Sequence, residues 1–378
     1  MNNKPLFKKY TARAKTLLPI HVGGGAGQAI DPLEYVVTPD GWFYRIDLDA
    51  MINTDRVFAE EFIKLRERSR GLIELRELIR KAFKPESCIQ WTHRAKASVP
   101  FANYYRERFS DSNNQLVVQC MPAAGKNAYI PGSSIKGALR TAILDKLARD
   151  KNYQSVLEKT SLENKPPVSG KVESFLLTGS FFMKPDTDPL KNIKISDAII
   201  PEDATDIAIV KNRYADKDTG VDMVVETGRR GIEFSFEINL PTLLTFDTVK
   251  SQRPEFLNLD WIREALWDYT VGEPGNVITE MENHYTGGRN KTAEENIEAI
   301  IEEAERTADK GDIAFLRLGR FSHLECMTYS DRPANALDRK PHLAQISERT
   351  HPKGWGVTRN LVDGKIPLGV LRLEFVEK

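Results

Sequence analysis

No charge of either sign predominates in this sequence: 54 Lys and Arg stand against 54 Asp and Glu over 378 residues. A broadly basic nucleic-acid binder is thereby excluded, and any such affinity has to come from a local patch or from a site shared with partner subunits. Cysteine is scarce. Cys88, Cys120 and Cys326 are far apart and form no C-x-x-C pair, so neither a zinc site nor a disulfide framework is expected, and a reducing cytoplasm suits the chain. No run of about 18 apolar residues occurs, so no membrane span is expected. The basic start lacks the apolar segment of a signal peptide. His21, His93, His284, His323, His342 and His351 never fall at H-x-x-x-H or H-E-x-x-H spacing, so no metal or other cofactor is expected. The run Gly23-Gly24-Gly25-Ala26-Gly27 is not a G-x-G-x-x-G fingerprint, because Gln28 follows and no helical pattern opens there, and it lacks a P-loop ending.

What is present is an ordinary globular composition, 40% hydrophobic and 29% charged, with length enough for two domains. The stretch that organises the chain is Tyr129-Ile-Pro-Gly-Ser-Ser-Ile-Lys-Gly-Ala-Leu-Arg140 and its continuation to Leu147. It predicts a strand end, a tight turn at Pro131-Gly132 and a helix capped by Ser133 or Ser134. Ile135, Leu139, Ala142, Ile143 and Leu147 recur at core-facing spacing. Lys136 and Arg140 share another face. A helix N-terminus with two cations is a phosphate site; the plain alternative is a capped amphipathic helix with solvated cations.

Residues 6–22 predict a first strand, and the glycine run after it permits close approach of a ligand or a mobile hairpin loop. Asp31–Val37 and Trp42–Asp47 predict two strands around Pro39-Asp40-Gly41. Residues 54–83 predict helix, broken near Gly71. Residues 90–140 carry seven cations (Arg94, Lys96, Arg106, Arg108, Lys126, Lys136, Arg140) against Glu107 and Asp111. That is a net of five with His93 neutral. Trp91, Phe101, Tyr104 and Tyr105 are interleaved, a pattern that either stacks bases or supplies core. Further strands are expected at 175–182, 193–199 and 207–214, the last ending in Lys211 and Arg213. Residues 224–240 predict a hairpin with Ile232, Phe234, Phe236, Ile238 and Leu240 on one face and an acidic other face. Helices are expected near 258–270 and 292–309. In the last part, Arg317 and Arg320 flank Gly319, and Arg359 follows a second glycine-containing turn; arginine offers forked donors to phosphate.

Ile130–Arg140 resembles the signature of the RAMP superfamily, RNA-binding proteins of CRISPR effector complexes. Pro19-Ile-His-Val-Gly-Gly-Gly with Asp31-Pro-Leu-Glu-Tyr-Val-Val and Tyr44-Arg-Ile-Asp47 is similar to the opening of the subunit at the guide-RNA 3′ end of type III-A (Csm) complexes. Lys194-Ile-Ser-Asp-Ala198 resembles a RAMP strand end, and Leu316-Arg-Leu-Gly-Arg320 with Pro367-Leu-Gly369 resembles that subunit's C-terminal glycine-rich region. The resemblance implies an α+β fold of tandem ferredoxin-like (RRM-like, βαββαβ) domains, at 1–200 with a helical insertion about 50–120, and at 201–378. It implies a non-catalytic, cytoplasmic subunit that holds guide RNA by its backbone beside the repeated backbone RAMP subunit and the small helical subunit. The RNA-contacting set expected is His21, Gly23, Gly24, Gly25, Arg94, Lys126, Ser133, Ser134, Lys136, Arg140, Lys211, Arg213, Arg317, Gly319, Arg320 and Arg359. Two alternatives stay open: a backbone-type RAMP of a related type III complex, and a metal-independent endoribonuclease with His21 as the acid–base group.

Overall fold

The computed structural model describes residues 6–23, 29–67, 71–111, 116–151, 169–214, 217–242, 254–272, 277–278, 281, 285, 290–321 and 359–378. Gly24 and Gly25, the remainder of the glycine run, His284, His323, His342, His351 and the turn before Arg359 lie outside them. The fold is mixed α+β, as expected.

Strand β1 (Phe7–Thr16) alternates strictly: Tyr10, Ala12, Ala14 and Thr16 are buried, and the residues between them face outward. It is central in a five-stranded sheet. β14 (Glu233–Pro241) lies on one side and β17 (Val370–Glu377) on the other; β9 (Lys194–Ile195) and β15 (Ile313–Arg317) form the edges. Every neighbour is antiparallel. Phe234, Phe236, Ile238 and Leu240 are buried as the alternation predicts, and Ile232 packs partly buried beside them. Helices α5 (Gly132–Asp150) and α7 (Leu259–Thr270) cover this apolar face, with α6 (Ser169–Thr178) and α8 (Lys291–Thr307) completing the core. The opposite face is not left acidic: Lys15 meets Glu233 at 3.7 Å and Arg13 meets Glu374 at 3.5 Å.

A nine-stranded mixed sheet forms the second layer. Its path starts at β2 (Ala29–Ile30) and β6 (Val118–Gln119), continues through β13 (Met223–Gly228) and β11 (Thr205–Tyr214), and ends with β5 (Trp91–Ala97), β4 (Trp42–Ile46) and β3 (Tyr35–Val37). β12 (Lys217–Asp218) and β16 (Arg359–Val362) pair with β11. The β11–β5 and β13–β6 pairings are parallel. Helix α4 (Val99–Arg108) buries Phe101 and Tyr105 against Phe43, Ile207 and Ile209. Helices α1 (Leu48–Thr54), α2 (Arg56–Arg66) and α3 (Leu72–Ala82) pack Met51, Phe58, Phe62, Leu75 and Ile79 on Tyr44 and Trp91. Phe101, Tyr105 and Trp91 are therefore core, not base-stacking platforms. A small third sheet joins β7 (Ala123–Ala124), β8 (Asn127–Ile130) and β10 (Ala198–Ile199).

Several expectations are corrected. Residues 175–182 are not a strand: Val172, Leu176 and Leu177 are buried at helical spacing, so the core selects α6. Residues 224–240 are not a hairpin: β13 and β14 enter different sheets, and the chain crosses over between Gly228 and Glu233. Ile20 bridges to Gly228 there, and Thr16 bonds Ile232. Both sheets compete for this connection, and the strongly one-sided β14 follows β1. The insertion is not all helical: after α1–α3 end at Ala82, strands β5 and β6 flank helix α4 within it. Both large sheets take strands from either side of residue 200, so the sheets do not divide there.

Candidate nucleic-acid interface

The chain leaves β1 through Leu17–Gly23 and passes into the seam between the two large sheets. His21 is 0% exposed. Its Nδ1 lies 2.6 Å from the Glu226 carbonyl oxygen. A carbonyl only accepts, so Nδ1 carries the proton. Burial, reinforced by the Arg320 charge, holds this ring below its ordinary pKa and keeps it neutral. Its Nε2 is buried and has no hydrogen-bond partner among the described residues.

The residues after β15 close over His21. Arg320 N–H donates to the His21 carbonyl at 2.8 Å. Gly319, at φ +105, sits so close that a Cβ would stand 2.6 Å from that carbonyl oxygen. Only glycine combines that backbone conformation with that approach. Phe321 follows at φ +67, an unusual conformation for a bulky residue, with its ring 5.7 Å from the His21 ring. Arg320 Nη1 reaches Gln119 Oε1 at the end of β6. Arg317 is only 6% exposed. Its Nη2 donates to the Phe321 carbonyl at 3.2 Å, while Nε and Nη1 are buried with no partner among the described residues. Gly369 makes room for that guanidinium, because a Cβ there would lie 2.2 Å from Nη1. Five expected site residues, His21, Gly23, Arg317, Gly319 and Arg320, thus converge from opposite ends of the sequence.

Behind His21 lies a hub that sequence reasoning missed. Glu226 is 1% exposed on β13. Its Oε1 lies 2.6 Å from His93 Nε2, and its Oε2 accepts from Met121 N–H at 3.0 Å. His93 Nδ1 lies 2.8 Å from the Lys126 carbonyl. Both neighbours of the His93 ring are acceptors, so both nitrogens donate and the ring is an imidazolium, not the neutral group assumed in the charge count. Burial opposes that charge, but the hydrogen bond and charge of Glu226 outweigh it and raise the His93 pKa. Burial alone would raise Glu226; His93, with donors from Thr205 and Met121, lowers it instead. The signal available in sequence was a lone carboxylate inside the apolar strand Met223-Val-Val-Glu-Thr-Gly228.

The other expected residues occupy three further places. Lys126 Nζ covers the Trp91 ring at 3.7 Å, and Arg94 forms a two-point ion pair with Asp203, its Nε at 2.6 Å from Oδ1. Lys211 and Arg213 both reach Asp218, at 3.0 and 3.4 Å, and Arg359 is buried opposite Arg213 across β16–β11. An open groove of about 690 Å³ lies beside Lys211 and Asp218; Tyr104, Arg108, Gln119 and Asp222 are among its other walls.

The signature helix is committed elsewhere. Pro131, not a serine, is the N-cap of α5, so Ser133 and Ser134 lie inside the first turn. Gly132 N–H donates to Asp197 Oδ1 at 2.7 Å, so a carboxylate of this chain fills the anion position. Lys136 Nζ bonds the Ile193 carbonyl at 2.8 Å, and Arg140 pairs with Glu173 and with Asp188 at 2.7 Å. These two cations hold α5 to the segment before β9.

The glycine-flanked arginine seam and the signature helix are thus both carried by an α+β core of rigid sheets. The sequence profile described as RAMPs, the RAMP superfamily, matches residues 13–322, and the chain belongs to that superfamily. Among solved structures, a chain of a type III-A Csm–crRNA–target RNA ternary complex is similar at 16% identity and TM-score 0.66, covering 97% of this chain and 100% of that one. Csm5 of T. onnurineus is similar at 17% identity and TM-score 0.56, with 95% and 99% covered. Both likenesses are of fold. No curated protein matches.

Proposed function

We propose that this chain is a non-catalytic RNA-binding subunit of a type III-A CRISPR ribonucleoprotein, holding the guide RNA at its 3′ end. The fold likeness to Csm chains spans nearly the whole molecule, which favours the end subunit over a repeated backbone subunit. The partners are the guide RNA, the backbone RAMP subunit and the small helical subunit, in a cytoplasmic complex. Within this reading β1, α5, β9, β14, α7 and β17, in sheet order β17-β1-β14-β9, are one ferredoxin-like βαββαβ unit. The mixed sheet has parallel pairings and follows another order.

The observation that carries the proposal is the seam. Two buried guanidinium nitrogens of Arg317 have no partner there among the described residues, beside the Arg320 side chain and two glycines that permit close approach. An unmet buried donor costs about 1–3 kcal/mol, which a phosphate oxygen would offset. The non-catalytic reading rests on His21: among the described residues no acid stands opposite its Nε2 to protonate a leaving oxygen, and arginine cannot do so.

The test uses guide RNA from assembled complexes containing wild-type chain or Arg320→Ala, at matched subunit stoichiometry. The expected result is a shorter or more heterogeneous 3′ end in the variant. Identical 3′ ends would remove the seam from the RNA path. Metal-independent cleavage of repeat RNA by the purified chain in EDTA, lost in His21→Ala, would replace this reading with the endoribonuclease.

A further inference from the structure

The two histidines at the seam are held in opposite states. His93 donates from both nitrogens and is saturated. His21 donates from Nδ1 to the Glu226 carbonyl, which leaves Nε2 with a lone pair and no proton. That nitrogen is a buried acceptor with no donor among the described residues. Gly23 leaves space beside it: a Cβ there would lie 3.8 Å from Nε2 and equally close to the aliphatic stem of Arg320. Among the described residues, the Arg320 side chain bonds Gln119 and lies 5.2 Å over the Phe321 ring.

A phosphate oxygen would repel this lone pair, so His21 is not one of the phosphate contacts. What it needs is a neutral group that donates, close to a phosphate held by Arg317 and Arg320. A ribose 2′-hydroxyl is a donor attached one sugar away from each phosphate, and deoxyribose lacks it. Resting on the reading above, we infer that His21 Nε2 accepts a hydrogen bond from a ribose 2′-hydroxyl and selects RNA over DNA at the seam. Arg320 shifts as it takes up a phosphate. Gly23 is required because any side chain would fill the approach.

The test is fluorescence anisotropy of the full chain with single-stranded oligonucleotides of one sequence, as RNA, as DNA and as 2′-fluoro RNA, whose fluorine accepts but cannot donate. The wild type is expected to bind RNA about five- to tenfold more tightly than either analogue, the worth of one well-made hydrogen bond. His21→Phe keeps the ring and the Phe321 contact but removes the acceptor. Its RNA affinity is expected to fall to the DNA value with DNA binding unchanged. A wild type that binds all three strands equally, or an RNA preference that survives His21→Phe, overturns the inference while leaving RNA binding at the seam intact. So does a preference that follows amino-bearing bases instead of the sugar. Should His21→Phe fail to fold, wild-type chain with single 2′-deoxy substitutions at each position decides: one position is expected to carry the loss, and an even spread overturns the assignment. Failure to bind any strand overturns both this inference and the reading beneath it.

Discussion

At the residue scale, the buried Glu226–His93 pair sets a pH window for stability. His93 has a raised folded pKa, so its contribution is complete below its ordinary value of 6.5 and is lost as pH rises through the folded value. Glu226 has a lowered one, so its contribution is complete above 4.5 and is lost as pH falls through the folded value. The pair therefore supports the fold most between about pH 4.5 and 6.5. Glu226→Gln leaves a buried cation without its counter-charge and is expected to cost about 3 kcal/mol. Denaturant melts from pH 4 to 9 check this: the gap between wild type and variant should be widest inside the window and narrow above it. A constant gap would mean that Glu226 matters only as a hydrogen-bond acceptor. None of this was legible beforehand, because a carboxylate in a strand shows its partner only after folding. The glycines were legible in a limited way. Gly319 stood out between two arginines, but that it yields to the His21 backbone depends on a contact across the molecule.

At the element scale, α5 shows what a sequence pattern can and cannot settle. The apolar spacing of Ile135, Leu139, Ala142 and Ile143 identified the helix and its buried face. The same residues left open which anion its N-terminus holds, since a free phosphate and an internal carboxylate satisfy the same N–H groups. Asp197, arriving from the β9–β10 turn, decides it. Asp197→Ala should cost about 1 kcal/mol, as loss of a helix-capping acceptor does. It should also free the Gly132 N–H. Thermal melts in chloride and in sulfate check both: the variant should melt lower and regain part of the loss in sulfate beyond the gain of wild type. Equal responses of the two proteins would show that no anion position was vacated. The missed helix α6 has a different cause. Its Phe175, Leu176 and Leu177 make a short apolar run, which reads alike for strand and helix until Val172 is seen to share its core.

At the scale of the whole molecule, β17 pairs with both β1 and β15 in their sheet. Leu373 sits at its middle, opposite Ala14 on one side and Ala314 on the other. Leu373→Pro removes a ladder donor from an interior strand and should cost at least about 3 kcal/mol. Hydrogen exchange is the measurement. Amides of β1 and β15 are expected to lose protection together, while α2 and α3, whose core is formed by residues 36–91, keep theirs. Loss of protection everywhere would mean that the two layers unfold as one.

The pairing of Thr11 with Val376 has a further consequence, in time rather than in space. During synthesis β1 emerges first and its partner β17 last, and at 5–20 residues per second the interval is roughly twenty to seventy seconds. Throughout it, one edge of β1 has no strand to pair with, and the apolar face carried by Tyr10, Ala12 and Ala14 has only part of its cover. Sheets closed by such distant contacts also form slowly once complete. A chaperone is therefore expected to bind the nascent chain over that interval. A ribosome-bound fragment ending before residue 370 is where a chaperone would be found holding it.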